Sequence, residues 1–276
     1  MTRNELTDQL EAFKDQMTDE EKELSTLVHY EHVIQMMIES LPDGEVKKKD
    51  ILKIKREMMG KYKPATVNNY IVIMNKYVSF AGDESLTVER MNIQKTKSLD
   101  EVMEPSDFKR MIRHAKQMEM WQMYYLMKVI AYTGIRIEER KALTVENLKM
   151  DFIPVRNKGK TRNIIIRSDL RRELKKYCKD QGIKEGFIFT GEDGKTLLST
   201  STIWYQMKKI AAHAHVKKTL IHPHSFRHLF ALKFLDDGND ITELADILGH
   251  NSLETTRIYT RTTDIAKRKK MEAMKY

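Results

Sequence analysis

The sequence predicts a mainly α-helical protein with one small β-hairpin, divided into two domains. Three observations lead to this prediction. Apolar residues recur at three- and four-residue spacing along much of the chain, which is the period of an amphipathic helix. One pair of short β-prone runs flanks the polar turn "NKGK", and a polar stretch without a clear apolar face interrupts the helical pattern after residue 90.

The first domain is predicted to be helical throughout. The segments "ELSTLVHYEHVIQMMIESL" and "PATVNNYIVIMNKYVSFAG" each carry an apolar face and close with the turn signals "PDG" and "GDE". The polar stretch covers residues 90–104, and residues 96–104 within it are assigned as the linker. The predicted domains are therefore residues 1–95 and residues 105–276.

The second domain is predicted to be mostly helical around a hairpin. In "PSDFKRMIRHAKQ" a serine after the proline predicts the helix cap, and "MWQMYYLMKVIAYTG" is apolar all round, which is typical of a buried central helix. The hairpin is predicted in "DFIPVRNKGKTRNIII". Further helices, most with Ser, Thr or Asp ahead and several with Gly behind, are predicted in "SDLRRELKKYCKDQG", "STIWYQMKKIAAHAH", "HSFRHLFALKFLDDG", "DITELADILG" and "SLETTRIYTR".

Charge is distributed unevenly along the chain. The net charge is +9 with a pI near 9.3, which favours a polyanionic partner. Residues 1–45 carry 3 Lys/Arg against 12 Asp/Glu, residues 46–100 carry 12 against 6, and residues 101–276 carry 34 against 22. The basic surface is therefore expected to begin after residue 45 and to continue to the end.

Composition excludes several classes of protein. The mean hydropathy is −0.57, and no apolar run approaches the length of a membrane span. The first residues, "MTRNELTDQLEAFKDQ", are polar and acidic, unlike a signal peptide. The single cysteine, Cys178, excludes an internal disulfide and a thiolate zinc site, so a reducing cytoplasm is the expected location.

Two arginines and a tyrosine suggest chemistry on a phosphodiester. A phenol with a pKa of about 10 is mostly neutral at pH 7, so attack by Tyr259 requires charge stabilisation around the phosphate. Guanidinium groups stay charged and bind two oxygens at once, and Arg136 and Arg227 are the candidates. Arg136 follows a glycine, and a helix starting there would also direct backbone N–H groups at an anion.

Histidines accompany these residues. His224 lies three residues before Arg227, so the two side chains share one helical face, and His224 could move a proton or bind a phosphate oxygen. His250 follows a predicted helix C-terminus, which favours a protonated imidazole. His228 is expected to pack beneath the site. "HAHVKKTLIHPHSFRH" holds five histidines, but Arg227 between His224 and His228 argues against a metal site.

The segments "TGIRIEE", "HPHSFRH", "LGH" and "TTRIYTR" together resemble the motifs of the tyrosine recombinase (phage integrase) family, in that family's order. Each segment is weak evidence alone, but four in order, with nine residues from His250 to Tyr259, are specific. The resemblance spans roughly residues 105–261. It implies a helical core-binding domain followed by a tyrosine-recombinase catalytic domain.

The resemblance also implies a role for each matching residue. Arg136 and Arg227 would bind the scissile phosphate, and Tyr259 would attack it to form a 3′-phosphotyrosyl intermediate and release a 5′-hydroxyl, without metal or cofactor. His224 and His250 match two further pocket positions, and Glu139 matches an acidic position that orients the site. A hairpin lysine would protonate the departing 5′-oxygen. Lys158 is the better match for it and Lys160 the rival.

DNA contacts are expected from exposed cations of both domains. A basic run in the first domain and the hairpin of the second would bind phosphates. The candidates are Lys47, Lys48, Lys49, Lys53, Lys55, Arg56, Lys61, Lys63, Lys160 and Arg162.

The implied function is site-specific recombination of double-stranded DNA by four protomers on two sites. Integration, excision, inversion and resolution all remain open. The alternative is a non-catalytic regulator, because "ITELADILGHNSLETTRIYTR" also resembles a helix-turn-helix with "LETTRIYTR" as recognition helix. That motif alone does not account for "TGIRIEE" or for the basic hairpin.

Overall fold

The structure is a computed structural model, and it describes residues 1–93, 102–157, 160–250, 252–260, 271–272 and 274, apart from the side chains of residues 157 and 160. The chain divides into two compact units, Met1–Thr96 and Lys97–Tyr276. Each unit buries its own apolar core. No helix among the described residues is long and apolar enough to cross a membrane.

The first unit is helical. Its helices are α1 (Arg3–Asp8), α2 (Leu10–Asp19), α3 (Leu24–Glu39), α4 (Lys48–Lys61) and α5 (Pro64–Phe80), followed by a 3-10 turn, Glu84–Leu86. Helix α5 packs against α3 and α4. The predicted helices over residues 23–41 and 64–82 correspond to α3 and α5.

Two asparagines of α5 fix the chain after this unit's last turn. Asn75 and the backbone of Val88 exchange two hydrogen bonds, of 2.8 and 3.0 Å. Asn68 does the same with the backbone of Met91, at 2.9 and 2.6 Å. These side chains therefore supply the backbone hydrogen bonds that a neighbouring strand would otherwise supply.

The second unit contains the hairpin and the remaining helices. Strands β1 (Phe152–Asn157) and β2 (Lys160–Ile165) pair antiparallel, with Phe152 opposite Ile165 and Asn157 opposite Lys160. The helices are α6 (Pro105–Gln117), α7 (Trp121–Thr133), α8 (Ser168–Asp180), α9 (Thr200–His213), α10 (Pro223–Asp236), α11 (Ile241–Leu248) and α12 (Leu253–Thr256). Short 3-10 helices cover Ile137–Ala142 and Arg257–Tyr259.

Helix α7 lies at the centre of the second unit. It packs against α6, α9 and α10, and most of its residues are buried. The side chain of Lys128 interrupts its apolar surface, but its ammonium pairs with Glu173 and lies over the ring of Tyr124. The predicted buried central helix is therefore present, with one compensated charge.

The predicted fold class is confirmed: the described residues are mainly helical, with one small antiparallel sheet. Two local predictions were wrong. The cap of α6 is Glu104 rather than Ser106, with Pro105 at the first helical position and Asp107 completing the capping box. The helix predicted over residues 252–261 ends at Thr256, where the chain tightens into a 3-10 turn.

Candidate active site

The carboxyl end of α11 organises the site. A helix ends with carbonyl groups that lack intrahelical partners, and these carry partial negative charge. Here three consecutive carbonyls each accept from a different arginine. Ile247 accepts from Arg162, Leu248 from Arg227 at 2.7 Å, and Gly249 from Arg136 at 3.0 Å. Residues 247–249 therefore gather three guanidinium groups that are distant in sequence.

Gly249 makes this convergence sterically possible. Its φ of +62° is left-handed, as a helix C-cap requires. A Cβ atom at this position would lie 2.6 Å from Cδ of Arg162. Glycine is therefore needed for the backbone conformation and for the close approach of the arginine.

Arg136 caps the 3-10 helix Ile137–Ala142, directly after the turn that ends α7. Its backbone N–H donates to Glu139 Oε2 at 2.7 Å, and its Nη1 lies 3.4 Å from Glu139 Oε1. The expectation that this N–H is directed at a bound anion was wrong, because the carboxylate of Glu139 occupies it. The guanidinium is partly exposed, with 27% of the side-chain surface accessible.

Among the described residues, Glu139 is the only acidic residue that pairs with both Arg136 and Arg162. It is 3% exposed, and it pairs with Arg162 through Nη2 at 2.5 Å and Nε at 3.3 Å. The predicted phosphate contact of Arg162 stays a prediction, and its guanidinium is largely buried and held by Glu139 and the carbonyl of Ile247. Arg162 thus connects strand β2 to the arginine pocket.

Arg227 lies deepest in the pocket, at 3% exposure on α10. Its Nη1 donates to the carbonyl of Gly134 at 2.6 Å, and its Nη2 donates to Leu248. Gly134 also has a left-handed φ, +64°, and a Cβ there would lie 2.5 Å from the Phe230 ring. Burial, followed by repulsion from Arg136 and Arg162, lowers the pKa of Arg227 to about 10. The guanidinium still remains charged at pH 7.

The pocket is strongly electropositive. It combines three guanidinium groups with one carboxylate, a net charge of about +2 in a mostly buried region. Desolvation strengthens electrostatic interactions, and a guanidinium has five N–H donors, of which the described contacts use only some. An anion that accepts several hydrogen bonds, such as a phosphodiester, is the complementary ligand.

Tyr259 lies beside this pocket in the same chain. The side chain is 6% exposed and packs in a small cluster with Ala231, Leu244 and Leu248. Burial raises the pKa of its phenol, and the positive charges of Arg227 and Arg136 act in the opposite direction. The positive charges of Arg227 and Arg136 would therefore stabilise a phenolate at this position.

Two histidines border the same region. His224, in the first turn of α10, has its pKa lowered by partial burial and then by Arg227 and Arg136. His250 accepts or donates through Nδ1 to the hydroxyl of Thr256 at 2.7 Å, and its ring stacks on that of Tyr259 with centroids 6.5 Å apart. Both imidazoles are neutral at pH 7.

The expectation of a protonated His250 was wrong. Burial, then Arg227, Arg136 and Arg162, lower its pKa to about 4. The helix C-terminus that should have favoured a cation is already occupied by the three guanidinium groups.

His228 is the site residue whose position the sequence did not predict. Its Nδ1 lies 2.7 Å from the hydroxyl of Tyr259, so it enters the site rather than packing beneath it. A signal was present: His224, Arg227 and His228 are spaced i, i+3 and i+4 and therefore share one face of a helix.

The hairpin lysines remain predictions. Lys158 lies outside the described residues. Lys160 begins β2 opposite Asn157, but its side chain also lies outside what the structure describes. The structure places the strand itself beside α11.

Most of the predicted DNA-contacting cations of the first unit are exposed. This holds for Lys47, Lys48, Lys49, Lys53, Arg56, Lys61 and Lys63. Lys55 differs, because it is half-buried and its Nζ donates to the carbonyl of Glu89 at 2.6 Å. Lys47 forms a surface ion pair with Glu45 at 3.0 Å.

The helix-turn-helix alternative does not fit this geometry. The segment predicted as its recognition helix forms only four α-helical residues, Leu253–Thr256, before the 3-10 turn. Tyr259, which would lie on the reading helix, is buried against α10. Within the described ranges, no group of three or more His, Cys, Asp or Glu side chains is arranged to hold a metal ion.

Comparison with known proteins now identifies the family. Residues 101–265, more than half of the chain, match the model of the phage integrase family. The chain belongs to the phage integrase family. Tyrosine recombinase XerA of Pyrococcus furiosus is 27% identical over 261 residues, covering 92% of this chain and 89% of that protein. Tyrosine recombinase XerD of Staphylococcus aureus (strain N315) is 33% identical over 144 residues, covering 49% of this chain and 48% of that protein.

Solved structures agree with this assignment. The crystal structure of XerA recombinase aligns with a TM-score of 0.55 at 25% identity, covering 98% of this chain and all of that one. A lambda integrase dimer bound to a core site aligns at 0.77 with 16% identity, covering 96% and 98%, and shares the fold. The expected enzyme class, a tyrosine-type site-specific recombinase, is confirmed, and so is the recombinase function over a regulatory one.

Proposed function

We propose that the arginine pocket binds the scissile phosphate of duplex DNA and that Tyr259 attacks it. The observation that carries the proposal is the convergence of Arg136 and Arg227 on adjacent carbonyls, Gly249 and Leu248, beside the Tyr259 phenol. Such a fixed pair of guanidinium groups stabilises the charge that develops on the two non-bridging oxygens. Phosphoryl transfer needs mainly positioning and charge stabilisation, so two arginines suffice without metal or cofactor.

Attack by the phenol oxygen on phosphorus would form a 3′-phosphotyrosyl ester and release a 5′-hydroxyl. Glu139 holds Arg136 and Arg162 in place rather than touching the phosphate. His224 and His250 are proposed to donate hydrogen bonds to the bound phosphate, because a neutral imidazole still carries one N–H. We assign protonation of the leaving 5′-oxygen to Lys158, with Lys160 as the rival.

The phosphotyrosyl ester conserves the energy of the broken linkage. A 5′-hydroxyl from a second duplex can therefore attack it and reseal the strand without ATP. Exchange of both strands between two sites requires four active tyrosines, so we propose a tetramer of this chain on two sites. The proposed outcome is integration, excision, inversion or resolution of a DNA element, and the free buried thiol of Cys178 favours a cytoplasmic location.

Residues 1–95 are proposed to form the core-binding domain, residues 96–104 the linker and residues 105–276 the catalytic domain. The exposed cations on and around α4 support phosphate contacts in the first of these. Their charge predicts that site binding weakens steeply between low and moderate salt. Among solved structures of the same fold, XerH is bound to its difH substrate and lambda integrase to a core site, which supports double-stranded DNA as the partner.

A nicked suicide site tests the proposal, because the strand piece released after cleavage diffuses away and traps the covalent intermediate. We expect a denaturant-resistant protein–DNA adduct with the unaltered chain. Tyr259→Phe should bind the same site with similar affinity and form no adduct. An adduct that persists in Tyr259→Phe would assign the nucleophile elsewhere.

A further inference from the structure

His228 makes the closest polar contact to the hydroxyl of Tyr259 among the described contacts. Its Nδ1 lies 2.7 Å from the phenol oxygen, and the two ring centroids are 5.3 Å apart. The residues are 31 positions apart, on α10 and on the 3-10 turn Arg257–Tyr259. A distance of 2.7 Å is typical of a hydrogen bond. This hydrogen bond connects the phenol oxygen of Tyr259 to an imidazole, which can bind a proton.

The chemistry of the two groups sets the direction of this hydrogen bond. Burial raises the pKa of Tyr259, so the resting phenol keeps its proton and has an O–H to donate. A neutral imidazole has one nitrogen that accepts and one that donates. With the phenol as donor, Nδ1 of His228 is the acceptor and the ring proton is on Nε2.

The other two histidines are less suited to this role. Nδ1 of His250 is engaged by the hydroxyl of Thr256, and its ring stacks on the face of Tyr259 rather than meeting the hydroxyl end-on. His224 lies in the first turn of α10, one helical turn before His228, and has no described hydrogen bond to the phenol oxygen. Among the described histidines, only His228 lies within hydrogen-bond distance of the phenol oxygen.

We propose that His228 is the group that takes the proton of Tyr259 during strand cleavage. The inference rests on the proposed function, since it concerns the same nucleophile. As the phenol oxygen bonds to phosphorus, its O–H bond breaks and the proton moves to Nδ1 of His228. The bond from phosphorus to the 5′-oxygen breaks in the same step, and that oxygen leaves as a hydroxyl protonated by the hairpin lysine. In the rejoining step, His228 returns its proton to the phenol.

The variant His228→Asn separates proton transfer from positioning. The asparagine amide oxygen can accept a hydrogen bond from the phenol near the place of Nδ1, but it cannot take the proton. We expect adduct formation on the suicide site to slow by about 100-fold or more, with site affinity unchanged. The matched control is His213→Asn, an exposed position at the end of α9, which should keep the rate of the unaltered chain.

Two further readouts distinguish this role from a structural one. Added imidazole should restore adduct formation in His228→Ala, because free imidazole can accept the phenol proton in the space left by the side chain. A site with a 5′-bridging sulfur, whose thiolate leaves without being protonated, should not restore either variant. The slower cleavage by these variants would then come from activation of the Tyr259 nucleophile and not from protonation of the leaving group.

A rate for His228→Asn within threefold of the unaltered chain would overturn the inference. So would rescue by the bridging sulfur, which would place His228 on the leaving-group side. If His228→Asn does not fold, failure of imidazole to rescue a folded His228→Ala has the same consequence. The proposed function fails separately, through an adduct that forms in Tyr259→Phe.

Discussion

The substitution Arg227→Ala should cost more in transition-state stabilisation than in the free energy of unfolding. Two hydrogen bonds from the charged guanidinium, of 2.6 and 2.7 Å, would be lost to Gly134 and Leu248. At about 1.5–3 kcal/mol each, their loss costs roughly 3–6 kcal/mol. Against this, the fall in the pKa of Arg227 to about 10 reflects burial beside like charges and corresponds to about 3 kcal/mol that the variant regains.

The net loss in the free energy of unfolding is therefore expected to be about 0–3 kcal/mol. The loss in transition-state stabilisation is expected to be about 3–4 kcal/mol, because a preorganised donor to the reacting phosphate is removed, and this slows cleavage by about 100- to 1,000-fold. Single-turnover adduct formation on a suicide site measures the rate, and denaturant unfolding measures the stability. The matched variant is Arg227→Lys, because it keeps the positive charge but cannot donate the two parallel hydrogen bonds of a guanidinium group.

A neutral methylphosphonate at the scissile position sharpens this test. With one phosphate charge removed, the guanidinium of Arg227 has less charge to stabilise, so the ratio of rates between the unaltered chain and Arg227→Ala should shrink at least tenfold. An unchanged ratio, or a variant that loses stability and keeps its cleavage rate, would show that Arg227 does not stabilise charge on the reacting phosphate.

Three other perturbations probe the support around the pocket. Glu139→Gln removes the carboxylate that pairs with both Arg136 and Arg162. We expect the free energy of unfolding to fall by about 3–5 kcal/mol and cleavage to slow, as measured by denaturant unfolding and adduct assays. Unchanged values would show that the ion pairs are dispensable. Gly249→Ala should destabilise the protein by at least about 1 kcal/mol and slow cleavage. The alanine Cβ would lie 2.6 Å from Cδ of Arg162, and the φ at this position is left-handed. No effect in the same assays would contradict this packing argument. Because folding lowers the pKa of His250 to about 4, the unfolded chain takes up the imidazole proton at a higher pH than the folded chain does. The free energy of unfolding should therefore decline by up to about 2 kcal/mol as the pH falls from about 6.5 to 4, after allowance for partial exposure. His250→Asn should flatten that decline, and an identical pH dependence in the variant would argue against the lowered pKa.

The sequence predicts the pieces of this site better than the contacts between them. Helical periodicity and turn signals locate α3, α5 and α7 closely, because each has a local apolar pattern and clear end signals. Arg136 and Arg227 are recognisable as candidates from their motifs. Their meeting point at the end of α11 is not, because it depends on backbone carbonyls that any residue could provide.

The same limit explains why the surroundings of Arg162 were not predicted and why the expectation for His250 was wrong. A basic residue on a hairpin is usually solvated, and only the fold brings Arg162 against the buried carboxylate of Glu139. A histidine after a helix C-terminus is usually stabilised as a cation, and only the fold brings three arginines to that terminus first. Tertiary electrostatics override the local rule at both positions.

A structure of the covalent intermediate on a suicide DNA site would show which residue is joined to the phosphate and which side chains hold it. We predict a phosphate esterified to the hydroxyl oxygen of Tyr259, with the guanidinium groups of Arg136 and Arg227 both within hydrogen-bond distance of its oxygens. A phosphate esterified to another residue, or one bound by only one of the two arginines, would contradict it.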